Sequence, residues 1–113
     1  MNAGTIERLR ALRGGPRDGA LLRFSLGNAL IAAGAPADAA VELRRAVEFD
    51  PAYSAAWKLL GRALVEAGDP AQARVAWGDG IAAAARAGDV QAQKEMQVFV
   101  RRLDKRGGGS AGD

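Results

Sequence analysis

With 113 residues, a formal charge of +3 and neither cysteine nor histidine, the chain has room for one domain, and it excludes a disulfide framework, Cys/His zinc sites and histidine acid–base chemistry. Hydrophobic residues reach 49 %, but alanine dominates them and the large anchors are only two Trp, three Phe and one Tyr, which suits a stack of short helices better than a sheet. The longest apolar run falls far below a membrane span and no secretory signal opens the sequence, so a cytoplasmic location is expected.

In chain order, residues 5–13 (Thr5-Ile-Glu-Arg-Leu-Arg-Ala-Leu-Arg13) read as an amphipathic helix. Ile6, Leu9 and Leu12 share one face, Thr5 is a candidate cap, and Gly14-Gly15-Pro16 is the stop. So short a helix must dock its apolar stripe, either as a cap on the helices after it or as a detachable arm. Asp18 is the expected cap of the next helix, running to about Ala33. Gly34-Ala35-Pro36 turns the chain into a return helix over about 37–49, with Ala40, Val41, Leu43, Ala46 and Val47 on its apolar side. Asp50-Pro51 ends it, because a residue preceding proline is pushed out of helical geometry.

The plan then repeats. Tyr53 or Ser54 opens a helix to Ala67, Gly68-Asp69-Pro70 turns it, and residues 71–86 return. Gly27 and Gly61, Gly34 and Gly68, Pro36 and Pro70, Ala39 and Ala73, and Val41 and Val75 all lie 34 positions apart. A fixed period of this length is the mark of a helical solenoid. Gly27, Gly61, Ala39 and Ala73 then fall where bulkier side chains would hold helices apart. Trp57 and Trp77 fill space between neighbours, each contributing roughly 4–6 kcal/mol of gross burial as an upper value. A final helix, 89–105, is capped by Asp89 and carries Ala92, Met96, Phe99, Val100 and Leu103 on one face, two positions late against the strict period. Residues 107–113 read as a flexible tail.

The string Trp57-x-x-Leu60-Gly61-x-x-Leu64, then Ala73-x-x-x-Trp77, resembles the tetratricopeptide repeat. Leu26, Gly27, Leu30, Ala39, Leu43, Ala46 and Pro51 repeat it one unit earlier, with Arg23 at the first Trp place. The expected fold is therefore all-α: an α-α superhelix of two helix-turn-helix repeats, 18–51 and 52–87. An N-terminal helix and a C-terminal capping helix flank them in a single domain over 1–106.

The resemblance implies a protein–protein interaction module that binds a peptide or partner helix in its concave groove. Carried over residue by residue, the groove comprises Leu21, Phe24, Asn28 and Ile31 in the first unit and Ala55, Lys58, Arg62, Val65 and Glu66 in the second. Lys94, Val98, Arg101 and Arg102 continue it on the last helix. Lys58, Arg62, Lys94 and Arg101 along one wall and Leu21, Phe24 and Ile31 along the other suit an acidic-apolar segment. Some relatives grip a C-terminal carboxylate through Lys/Arg and Asn positions. Here only Asn28 matches, with Phe24 and Leu59 in two of the other places, so that mode is disfavoured.

The alternatives are self-association through the N-terminal helix or an uncovered solenoid end, and phosphate binding by a basic adaptor. The second would use Arg8, Arg10, Arg13 and Arg17 with Arg101, Arg102, Lys105 and Arg106, but no stacking aromatic or RNA-binding motif accompanies them. No phosphate-cradling loop, nucleophile motif or paired carboxylates stand out, so no enzyme activity, cofactor, metal or catalytic residue is expected. The carboxylates read as helix-surface groups. The dominance of Arg over Lys with abundant Ala and Gly suggests a bacterial adaptor from a GC-rich genome.

Overall fold

Alanine-rich segments punctuated by Gly-x-Pro turns build six consecutive helices in the computed structural model, which describes residues 3–112. These are α1 (Ala3–Ala11), α2 (Ala20–Ala32), α3 (Pro36–Phe49), α4 (Ser54–Glu66), α5 (Pro70–Ala87) and α6 (Val90–Gly112). No strand occurs among the described residues. Each helix packs on those before and after it, α5 and α6 closing the series. α2 also touches α4 and α4 touches α6, so these three form one continuous side of the stack. The result is elongated, 48 × 31 × 17 Å, as a short superhelix is.

The turns behave as their residues dictate. Gly34, Gly68 and Gly88 adopt φ of 79°, 84° and 73°, a left-handed conformation that closes a helix without a Cβ clash. Pro36 and Pro70 occupy the first turn of α3 and α5, where a missing N–H costs nothing. Asp50 leaves α3 in extended geometry ahead of Pro51. Asp69 caps α5 by accepting from the Gln72 amide at 3.2 Å, and Asp89 accepts from Ala92 at 3.1 Å at the start of α6.

Small residues let the helices nest. A Cβ on Gly27 would fall inside the Leu43 side chain, and one on Gly61 inside the Trp77 indole. Ala39 and Ala73 are fully buried on the return helices. Gly80 gives a third close approach, under Met96 and Trp57. The fully buried Leu26, Leu60 and Met96 occupy successive equivalent places, 34 and then 36 apart (26 to 60, 60 to 96). The two-residue lag expected of the last helix is thus present in the core. Trp77 is buried and donates its indole N–H to the Lys58 carbonyl at 3.1 Å, whereas Trp57 is half-buried and donates to the Pro51 carbonyl at 2.7 Å.

Several expectations are corrected. α1 starts at Ala3, so Thr5 lies inside its first turn and accepts from Arg8 at 3.2 Å rather than capping. The helix does dock: Ile6 is buried in the main core with Leu9 packed against it. Asp18 is not the α2 cap, a place taken by Gly19 with no side-chain bond. Its two oxygens instead accept from the Gly14 and Gly19 amides, both at 2.8 Å, and from Arg23 at 2.9 Å each. Val41 and its counterpart Val75 face outward, 62 % and 55 % exposed. Glu42 is no surface carboxylate: it is 4 % exposed, and its oxygens accept from Arg13 at 2.7 Å and Arg23 at 3.1 Å. α6 continues past the stop expected at Gly107, since glycine weakens a helix but keeps the N–H that proline lacks. Of the tail expected over 107–113, Asp113 lies outside the described residues.

Candidate functional site

Three helical stripes converge on the side shared by α2, α4 and α6, and they enclose an open cleft of about 470 Å³. α2 contributes Phe24 and Asn28, four residues apart and so on one face. α4 contributes Ala55, Lys58, Leu59, Arg62, Val65 and Glu66, the three-and-four spacing of a helix presenting one side. α6 supplies Phe99, Arg102, Leu103 and Arg106 by the same rule. Trp77 reaches through from α5 because Gly61 leaves its ring room, and it meets Phe99 at 5.2 Å between ring centroids in a tilted arrangement. Phe24 in turn packs on Tyr53 at 5.0 Å. The floor is therefore apolar and aromatic, held by the same contacts that hold the fold.

The rim is charged and unevenly satisfied. Lys58 pairs with Glu95 at 3.3 Å and Arg62 with Glu66 at 2.7 Å. Arg102 and Arg106 make no ion pair or side-chain hydrogen bond among the described residues. On another side of that turn of α6, Asp104 receives a two-pronged contact from Arg74 at 2.6 and 3.0 Å, which lowers its pKa and bridges α6 to α5 at the surface. Asp89 accepts from the Ser54 hydroxyl at 2.6 Å, ties the start of α4 to that of α6, and is held below the usual carboxylate range by that bond and by the Ala92 amide. The Tyr53 phenol is pushed up by burial and by the Asp50 charge.

Phe24, Asn28, Ala55, Lys58, Arg62, Val65, Glu66 and Arg102 of the expected groove line this cleft. Leu21, Ile31, Lys94, Val98 and Arg101 do not. Leu21 stands 70 % exposed one turn outside it along α2, and Ile31 packs half-buried on the core beyond its other end. Lys94 and Arg101 are exposed on a stripe one residue earlier than the Phe99–Arg106 stripe, a rotation of about 100° around α6. Leu59, Trp77, Phe99, Leu103 and Arg106 line the cleft without having been expected there. Phe99 and Leu103 were legible as the apolar face of the last helix, and that face turns out to serve both the core and the cleft. Among the described residues no acidic cluster could hold a metal ion, and no helix is long and apolar enough to cross a membrane.

A family profile described as Tetratricopeptide repeat matches residues 30–94. A TPR repeat-containing protein of Pseudomonas aeruginosa is 54 % identical over 100 residues, which span 88 % of this chain and 95 % of the relative. The solution structure of a Bordetella parapertussis protein superposes with a TM-score of 0.75 at 47 % identity, covering 94 % of this chain and 91 % of that one.

Proposed function

Since the chain belongs to the tetratricopeptide-repeat family, whose repeats generally mediate protein–protein contacts and whose members are generally non-catalytic scaffolds, we propose that it is a cytoplasmic bacterial adaptor seating a segment of a partner protein in the α2–α4–α6 cleft. The observation that carries this reading is the convergence of three helical stripes on one aromatic floor open to solvent. Burying that floor would release ordered water from apolar surface, the dominant favourable term in association. The basic groups around it disfavour a cationic partner and suit an acidic-apolar segment.

The test is capture of partner proteins from a bacterial extract by the wild type and by Leu59→Glu, which places a charge on the cleft floor. Loss of the same partner from the variant, with helical circular dichroism unchanged, supports the cleft. Retention by the variant, or displacement of the partner by nucleic acid at physiological salt, overturns it.

A further inference from the structure

The basic side chains of the cleft divide into two kinds. Lys58 and Arg62 spend their charge inside the molecule, on Glu95 and Glu66. Arg102 and Arg106 sit four residues apart on the cleft side of α6, exposed, and neither has an ionic partner among the described residues. Four residues along a helix place them about 6 Å apart on one face. Leu103 stands between them in sequence and lines the same cleft, with Phe99 one turn before. Phe99 and Leu103 pack this stretch of α6 on the core and the exposed Arg74–Asp104 contact bridges it to α5, so the pair is presented by a seated helix.

From this geometry we infer that Arg102 and Arg106 form a two-point carboxylate clamp. The occupant of the cleft is then an acidic-apolar peptide segment with two carboxylates about 6 Å apart and an aliphatic side chain seated on the Phe99–Leu103 floor. That inference rests on the cleft reading and deepens it, by moving recognition from the α4 cations to α6. A guanidinium accepts no hydrogen bond and offers a planar fork to a carboxylate, so two unpaired arginines at this spacing select paired anions. A ligand carboxylate at Lys58 or Arg62 would first displace Glu95 or Glu66 and gains correspondingly less. Carboxylates at i and i+4 of a helix, or at i and i+2 of an extended segment, both present the required separation.

The experiment titrates the full chain with synthetic peptides that carry leucines and such a glutamate pair, in helical and extended versions, and with matched peptides in which glutamine replaces glutamate. Tryptophan fluorescence is the readout, because Trp77 lines the cleft. A glutamate peptide is expected to bind on the order of tenfold more tightly than its glutamine match at low salt, with the difference shrinking as salt rises. Arg102→Glu/Arg106→Glu should abolish that preference, and Arg101→Gln, exposed outside the cleft, should retain it. Arg102→Gln/Arg106→Gln repeats the test should charge reversal disturb folding.

Equal binding of glutamate and glutamine peptides, or a preference surviving in both double variants, overturns the clamp and leaves the cleft standing. A chain whose fluorescence responds to no peptide of either kind overturns the clamp and the cleft together.

Discussion

The two repeats solve one packing problem with different chemistry. In the second, Trp57 stands where the first has Arg23, and Ala76 stands where the first has Glu42, each pair 34 positions apart. The second unit fills its space with an indole lying over Gly80 and needs a single polar contact, the one to Pro51. In the first unit Arg23 is held by Asp18 and Glu42, and Glu42 also by Arg13. Phe49 adds its ring, with the Arg23 and Arg45 guanidiniums 5.9 and 5.1 Å from its centroid. The glycine and alanine that let helices approach are the same in both units. Nesting thus depends on the small residues, while the neighbouring place accepts a large apolar ring or a charge cluster, provided every member of the cluster is partnered.

The sharpest way to break this equivalence acts on the shared element. Gly61→Leu drives a side chain into the rigid Trp77 ring and should cost more than about 3 kcal/mol, abolishing cooperative unfolding in a urea titration. Gly27→Ala should cost less than Gly61→Ala, because Leu43 can change rotamer and an indole braced by its hydrogen bond cannot.

Next in size is Glu42→Ala, which imitates the second repeat but strands Arg23 and Arg13. It should cost about 3 kcal/mol by denaturant unfolding, and the double change Arg23→Met/Glu42→Ala should recover much of that loss.

A smaller, pH-dependent difference separates the units. Asp18 is held far below the ordinary carboxylate range by Arg23, then by the Gly14 amide. A depressed folded-state pKa stabilises the protein fully above the unfolded value near 3.9, and that contribution is lost as pH falls through the folded value. The wild type should therefore lose stability faster than Asp18→Asn as pH drops below about 4, followed by thermal melts across the acid range. At the other extreme, Val41→Lys and Val75→Lys should each shift stability by less than about 0.5 kcal/mol, since both side chains already face water.

These same positions show what could be read from residue order alone. The period, the Gly-x-Pro turns, the nested glycines and the lag of the last helix follow from side-chain size and backbone freedom, which are local properties. The charge cluster was readable in part: Glu42 lies in the stripe of Ala39, Leu43 and Ala46, and a carboxylate there implies a buried partner. That Arg13 would supply one of its contacts depends on the path from α1 into α2, which Gly14, Gly15 and Asp18 set through bonds that helical periodicity does not encode. The cleft was legible on α4, where the motif fixes the register, and on the middle of α2. On α6 Arg102 was expected and lines the cleft, whereas Lys94 and Arg101 lie one residue early, because the helix turns Ala92 and Met96 into the core and Phe99 onto Trp77 rather than following the repeat.

The doubly shared carboxylate of Glu42 has a consequence for the order in which the stack comes apart. A terminal helix in an array of neighbours would be the first to peel away. Here the segment just after α1 is latched past α2 onto α3 through Arg13. Amide exchange in α1 should then slow and quicken together with exchange in α3, and cutting the chain before Asp18 should loosen the first repeat itself rather than merely shorten the molecule.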